Sequence, residues 1–236
     1  MKDDQRRARD WRFTHTEKAA ADIEPSDGLS SLVGLLPPQT LLVWRTIAPL
    51  VPSQAYLSGG TALAAHVRHR VSRDLDFFTE SPFDPEELAA TLSRAGPFAP
   101  TMVETGTLNG IFEDTKVQFL DASSQRLLEN PTLFGGVRLA SLSDISAAKL
   151  KVIQDRGALR DYFDLMILDG HIPTEEGLRL LVDKFQPIAP AGLIANVVRG
   201  LGYLGDVEDD PSLPVSRAQI EAFWSRRQPE VARRAL

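Results

Sequence analysis

YLSGGTALAAHVRHRVSRDLDFF, residues 56–78, decides the fold. An apolar extended stretch, AYLS, runs into Gly59-Gly60-Thr61. Ala62, Leu63, Ala65 and Val67 then supply the apolar surface of a short helix to about Arg68, and residues 72–79 read as a strand. A period of two along that strand puts Asp74 and Asp76 on one face and Leu75 and Phe77 on the other. The two acidic residues are about 7 Å apart at the backbone, so their carboxylates can converge on one hard cation such as Mg²⁺. Such acid pairs are common in soluble chains, but a glycine pair opening a helix is a second, independent sign. The helix start offers free N–H groups and the positive end of a dipole, which favour a phosphate. Glycine, lacking Cβ, lets that phosphate approach the backbone closely. Together the two features indicate a triphosphate and a metal ion.

Outward from this stretch, LLPPQTLLVWRTIAPLVP holds a helix between its prolines. Asp84-Pro85-Glu86-Glu87 is a helix start with a capping acid and Pro at the first helical position, and Gly96 ends that helix. TMVETGTLNGIFEDTKVQFLD alternates as two or three strands with a turn at Glu113-Asp114-Thr115, and VRLAS is a further short strand after Gly135-Gly136. Ser143 is expected to cap a helix from Asp144 to about Arg156, and a second helix covers Arg160 to Leu168. Beyond it, Thr174 is expected to cap a helix carrying Leu178, Leu181, Val182 and Phe185. Ile220, Phe223 and Trp224 repeat the helical spacing after the loop GDVEDDPSLP. The expected organisation is a mobile N-terminal arm over 1–30, a mixed α/β core over 31–170 and a C-terminal helical region over 171–236.

The helix of residues 144–156 places a cation where an apolar side chain is expected. Ile145, Ala148, Val152 and Ile153 form its apolar stripe, and Lys149 and Arg156 fall on that stripe whereas Lys151 and Gln154 point away. An inward ammonium must either snorkel to water or meet an anion, because burying it unpaired is costly. In the next helix Asp161 and Asp164 share a face with Leu165 and Leu168, with Arg156, Arg160 and Lys149 as the candidate ion-pair partners. His66 and His69, three residues apart, are read as partly exposed surface ahead of metal ligands or bases.

These segments, in order, carry a resemblance. Gly59-Gly60-Thr61, the run Arg70-Val71-Ser72-Arg73-Asp74-Leu75-Asp76-Phe77, LNGIFEDTKVQFL, GGVRLASLSDISAAKL with Lys149, and Arg160-Asp161-Tyr162-Phe163-Asp164-Leu165 resemble the AbiEii/AbiGii toxin family of nucleotidyltransferases. That family lies in the polymerase-β-like superfamily and includes the MenT-type toxins. The resemblance spans about residues 50 to 170. It implies a polymerase-β-like α/β (α+β) core with a mixed sheet. It also implies transfer of a nucleoside monophosphate from a nucleoside triphosphate (NTP) to an acceptor hydroxyl, with RNA, at the tRNA 3′ end, as the acceptor.

By the same resemblance Asp74 and Asp76 hold Mg²⁺ (or Mn²⁺), and Asp74, Asp76, Lys149 and Asp164 are the catalytic set. Ser58, Gly59, Gly60, Thr61, Arg70, Ser72, Lys149 and Asp161 are the nucleotide-binding set. Ser72 resembles a hydroxyl that is phosphorylated when some relatives are neutralised, although a plain strand or turn hydroxyl is the simpler reading. A cognate antitoxin is an implied partner. One departure stands out: superfamily members with strong two-metal catalysis carry a third carboxylate on a later strand, where KVQFLD offers Gln118 and Phe119 and reaches Asp121 only at its end. Either Asp121 or Asp164 substitutes, or the metal site is weaker.

Composition bounds these expectations. The chain has no cysteine, which removes thiol catalysis and disulfide frameworks together. A net charge of −6 argues against non-specific, charge-driven nucleic-acid binding. No apolar run is long enough to cross a bilayer and no signal peptide is evident, so a cytoplasmic protein without membrane contact is expected. Two alternatives to RNA modification remain: a nucleotide-binding module of the same fold that transfers nothing, and transfer to a protein side chain.

Overall fold

A computed structural model of the chain describes residues 32–155 and 157–235. The expected arm over residues 1–30 lies outside these residues, as does Arg156. The first helix, α1 (Pro38–Ile47), packs Trp44 and Ile47 into the core, and β1 (Ala55–Ser58) leads directly into α2 (Gly59–Val67). Next come β2 (Leu75–Thr79) and α3 (Pro85–Ala95), whose first-turn N–H at Glu87 donates to the Asp84 carboxylate at 2.9 Å as the sequence anticipates.

Three strands follow, β3 (Phe98–Glu104), β4 (Thr107–Phe112) and β5 (Thr115–Asp121), then the hairpin β6 (Thr132–Phe134) and β7 (Val137–Leu139). Helices α4 (Leu142–Asp155), α5 (Leu159–Leu168), α6 (Thr174–Phe185), α7 (Pro190–Leu201) and α8 (Arg217–Ala235) complete the described chain. None of its helices is long and apolar enough to cross a membrane.

The strands form one mixed sheet in the order β3-β4-β5-β2-β1-β7-β6. The acid-bearing β2 is central, antiparallel to β1 and parallel to β5, with Asp76 in register with Ser58 on one side and Gln118 on the other. Alternation along β2 buries Leu75, Phe77 and Thr79 on one face and leaves Asp76 and Phe78 half-buried on the other. Phe77 stacks on Phe119 of β5 at 5.0 Å between ring centres and lies 6.4 Å from Trp44, so the buried face is sealed by aromatic packing. The opposite face, with Asp76 and Phe78, is free to build a site.

The C-terminal helices pack on α4 and α5. Trp224 of α8 is fully buried and its indole N–H donates to the Tyr162 carbonyl at 3.0 Å. Lys184 of α6 is buried against Asp144 of α4, Nζ to Oδ1 at 2.7 Å.

Several local expectations are corrected. The strand at residues 72–79 begins only at Leu75, so Asp74 sits just before it. Ser141, not Ser143, caps α4: its Oγ accepts from the Asp144 N–H at 3.1 Å and donates to the Asp144 carboxylate at 2.7 Å. Thr174 is inside α6, and the capping oxygen is that of Asp169, which accepts from the Thr174 N–H at 2.9 Å and its hydroxyl at 2.6 Å. In both cases an oxygen a few positions upstream satisfies a first-turn N–H of the helix. Strand β6 and helix α7 carry no signal strong enough for the periodicity to reveal.

Candidate active site

Helix α2 begins where β1 ends, and Gly59 turns the chain with φ of +69°. A Cβ on Gly59 would lie 2.7 Å from Asp76 Oδ2, and one on Gly60 would collide with the Arg70 guanidinium and sit 3.3 Å from Ser72 Oγ. The glycines are therefore required by the Asp76, Arg70 and Ser72 side chains folded over the helix start, as well as by the positive φ at Gly59. The turn that returns from α2 to β2 is pinned by Thr61, whose hydroxyl donates to the Asp74 carbonyl at 2.5 Å. Thr61 is buried, is not among the residues lining the cavity, and holds the backbone of the acid-bearing segment.

Asp164 is the hub of the charged cluster. It is fully buried, and its carboxylate accepts from Arg70 Nε at 2.7 Å, Arg70 Nη2 at 2.8 Å and His69 Nε2 at 2.7 Å; Lys149 Nζ lies 2.7 Å away. Burial would raise its pKa, but Lys149, Arg70 and His69 together hold it far below the usual carboxylate range. Lys149 is 7% exposed and also donates to Asp161 Oδ1 at 2.6 Å. Burial would depress its pKa, yet Asp164 and Asp161 keep it above the ordinary lysine value. The inward lysine thus meets anions, as burial demands, and those anions are the two acids of α5.

Arg160 faces Asp74 instead, Nη2 to Oδ2 at 3.7 Å. His66 is half-buried, with Nε2 2.8 Å from the Ala140 carbonyl, whereas the His69 side chain is buried against Phe163 with Nδ1 lacking a partner among the described residues. Burial pushes the His69 pKa down, outweighing its bond to Asp164.

A cavity of about 590 Å³ opens beside this cluster. Its wall includes Ser58, Gly59, Gly60, Arg70, Ser72, Asp74, Asp76, Lys149 and Asp161 from the expected set. Asp164 stands behind that wall and holds two of its cations. The α4 stripe contributes Ile145, Ala148 and Val152 as well, so Lys149 sits on an otherwise apolar flank. Burial and the neighbouring Asp74 push the Asp76 carboxyl above its usual pKa. Two adjacent carboxylates, one of them penalised for its charge, suit a single hard cation whose other ligands are phosphate and water oxygens. No group of three or more metal-binding side chains occurs among the described residues.

Neither candidate for the absent third carboxylate reaches this place. Asp121 aligns with Thr79, beyond Phe78 and away from the acids, and its Oδ1 accepts from the Ser123 N–H at 2.8 Å. The position beside Asp76 is held by Gln118. The expected site list also omitted Lys116, Phe78 and Leu120, which the period-two alternation of β2 and β5 could have revealed once their pairing was known, and the Asp210-Pro211-Ser212 segment, for which the sequence held no signal.

A glycine-opened helix, an acid pair at the start of a central strand and inward cations border one cavity, and the chain is an enzyme of the nucleotidyltransferase class. Residues 45–128 match the family described as "Nucleotidyl transferase AbiEii toxin, Type IV TA system". A relative from Aquifex aeolicus (strain VF5), the uncharacterized protein aq_aa25, is 28% identical over 183 residues, covering 74% of this chain and 86% of the relative. The fold is similar to that of JHP933 from Helicobacter pylori, with 20% identity, a TM-score of 0.55 and coverage of 85% of this chain and 94% of that one. It is also similar to "MenT4, nucleotidyltransferase toxin Rv2826c" from Mycobacterium tuberculosis H37Rv, with 19% identity, a TM-score of 0.52 and coverage of 82% and 84%.

Proposed function

We propose that this enzyme transfers a nucleoside monophosphate from an NTP to a hydroxyl of RNA, at the 3′ end of tRNA, as the toxin of a pair with a cognate antitoxin in the cytoplasm. The carrying observation is that Arg70 and Lys149, both anchored on Asp164, border the same cavity as the helix start at Gly59-Gly60 and the acids Asp74 and Asp76.

The phosphates lie against the N–H groups of the α2 start. Lys149 has three N–H donors, of which Asp161 and Asp164 engage two, leaving one for a phosphate oxygen. Arg70 uses Nε and Nη2 on Asp164 and Nη1 on the Val71 carbonyl at 3.2 Å, which leaves one N–H on each Nη, held in a fixed plane at the cavity wall. Asp74 and Asp76 would hold Mg²⁺ or Mn²⁺, which supplies charge neutralisation at the phosphates. The acceptor oxygen forms a bond to the α-phosphorus as the bond from that phosphorus to the β-bridging oxygen breaks, pyrophosphate carries away the electron pair, and the hydroxyl proton passes to a carboxylate or water. Positioning and fixed positive charge supply most of the rate gain.

The test is incubation of the purified chain with each labelled triphosphate and total RNA, with and without Mg²⁺. Metal-dependent labelling of RNA that is lost in Asp76→Asn is expected; absence of nucleotide binding with Mg²⁺ present overturns the proposal. Gln118 beside Asp76 favours one second reading, a module that binds nucleotide without transferring it, for which binding without pyrophosphate release across a panel of acceptors is the signature.

A further inference from the structure

The cavity has two chemically different sides, separated by the acid strand. In the sheet β2 lies between β1 and β5. On the β1 side stand the glycine loop, Arg70 and Lys149, a set of N–H donors and cations suited to phosphate oxygens. On the β5 side, alternate residues of one strand face the same space: Lys116, Gln118 and Leu120, while Thr115, Val117 and Phe119 are buried in the sheet's other face. Parallel pairing sets Gln118 beside Asp76 and Leu120 beside Phe78. Phe78 is half-buried and on the cavity wall, and its ring stacks on Tyr56 at 6.0 Å and 21° between planes. Across β2 and β5 these supply an aromatic ring, an aliphatic side chain, an amide and an exposed cation. They match the end of a nucleic-acid strand: a planar base, hydroxyls and a phosphodiester.

We propose that Phe78, Lys116, Gln118 and Leu120 form the acceptor subsite. Phe78 and Leu120 carry the terminal base, the Gln118 amide hydrogen-bonds the terminal ribose, and Lys116 pairs with the adjoining phosphodiester. The assignment rests on the proposed reading of the site as a nucleotidyltransferase, because it uses the geometry of that reaction. In an in-line displacement the attacking oxygen and the leaving pyrophosphate lie on opposite sides of the α-phosphorus. With the pyrophosphate end on the β1 side and the acids between, the attacking hydroxyl arrives from β5.

The experiment separates the two substrates. Affinity for a non-hydrolysable α,β-methylene NTP is titrated with Mn²⁺, and the KM for a single-stranded RNA ending in a free 3′ hydroxyl is measured in the transfer assay. The proteins are the wild type, Phe78→Leu, Gln118→Ala and Lys116→Ala, each checked by thermal unfolding. Lys116 is exposed, so its truncation leaves the fold intact even if Phe78→Leu does not. Nucleotide affinity within about twofold of wild type, with the RNA KM raised about tenfold in Phe78→Leu and Lys116→Ala, is expected. Lys116→Ala also lowers the salt dependence of RNA affinity by about one counterion. Weakened nucleotide affinity with an unchanged RNA KM overturns the subsite, as does labelling of protein in place of RNA. If the wild type binds no nucleotide analogue, the nucleotidyltransferase reading itself fails and the subsite falls with it.

Discussion

Arg70 grips both carboxylate oxygens of Asp164, Nε to Oδ1 at 2.7 Å and Nη2 to Oδ2 at 2.8 Å, across 94 residues of chain. The same carboxylate is 2.7 Å from Lys149 and from His69. A single buried anion therefore sets the positions of two cavity cations and ties the loop after α2 to α4 and α5. Asp164 touches these cations and is not itself among the residues lining the cavity.

Replacing Asp164 with Asn strips this cluster of its central charge while keeping its volume. Removing one partner of a buried ion pair costs about 3–5 kcal/mol, because the opposite charge stays buried and uncompensated. Urea denaturation at pH 7 is expected to show a loss of that size in Asp164→Asn. A change under about 1 kcal/mol, within the range of ordinary surface substitutions, would show that Lys149 and Arg70 find other partners.

Asp76→Asn is expected to act in the opposite sense on stability. The carboxylate is penalised in the fold by burial and by Asp74, so a neutral isostere removes that penalty from the metal-free protein at neutral pH. A rise of about 2–4 °C in thermal midpoint, corresponding to about 1 kcal/mol in a chain of this size, should accompany loss of Mn²⁺ binding. A lower midpoint would mean that Asp76 makes a stabilising contact in the fold.

The two glycines should fail for different reasons. Gly59→Ala meets both a positive φ and the Asp76 carboxylate 2.7 Å away, which together cost about 1–3 kcal/mol. Gly60→Ala has an ordinary backbone and instead displaces the Arg70 guanidinium, which Asp164 holds from behind. Thermal unfolding should register chiefly the first, and a nucleotide titration should show about a tenfold loss for the second, equal to about 1.4 kcal/mol. Equal effects of both on affinity and midpoint would contradict this division.

Far from the cavity, Arg227 donates to Glu175, with Nη1 to Oε1 at 2.9 Å, and Nε to Asp169 at 2.9 Å. The bond to Arg227 lowers the Glu175 pKa to about 2, against a smaller upward push from burial. The folded pKa is depressed, so its stabilisation is complete above the unfolded value near 4.5 and disappears as pH falls from there to about 2. Glu175→Gln is expected to cost about 1 kcal/mol at pH 7, since the pair is partly exposed. The difference between wild type and variant should vanish across that acidic window in pH-dependent unfolding; a constant difference would assign the loss to packing.

The elements that carry the site were legible because their signals are local. Gly59-Gly60 before an apolar helix, the alternation around Asp76 and Phe77, and Lys149 on an apolar stripe each depend on residues within a few positions of one another. Local patterning therefore determined the glycine-opened helix, the opposed faces of the acid strand and the need of an inward lysine for an anion. Tertiary structure alone decided that Asp164 would serve Lys149, Arg70 and His69 together, that Thr61 would hold the Asp74 backbone, and that Gln118 would stand beside Asp76. Those choices depend on strand register and on which distant side chains share a buried volume. Periodicity along a chain specifies which face a residue takes, but leaves open what faces it from across the fold.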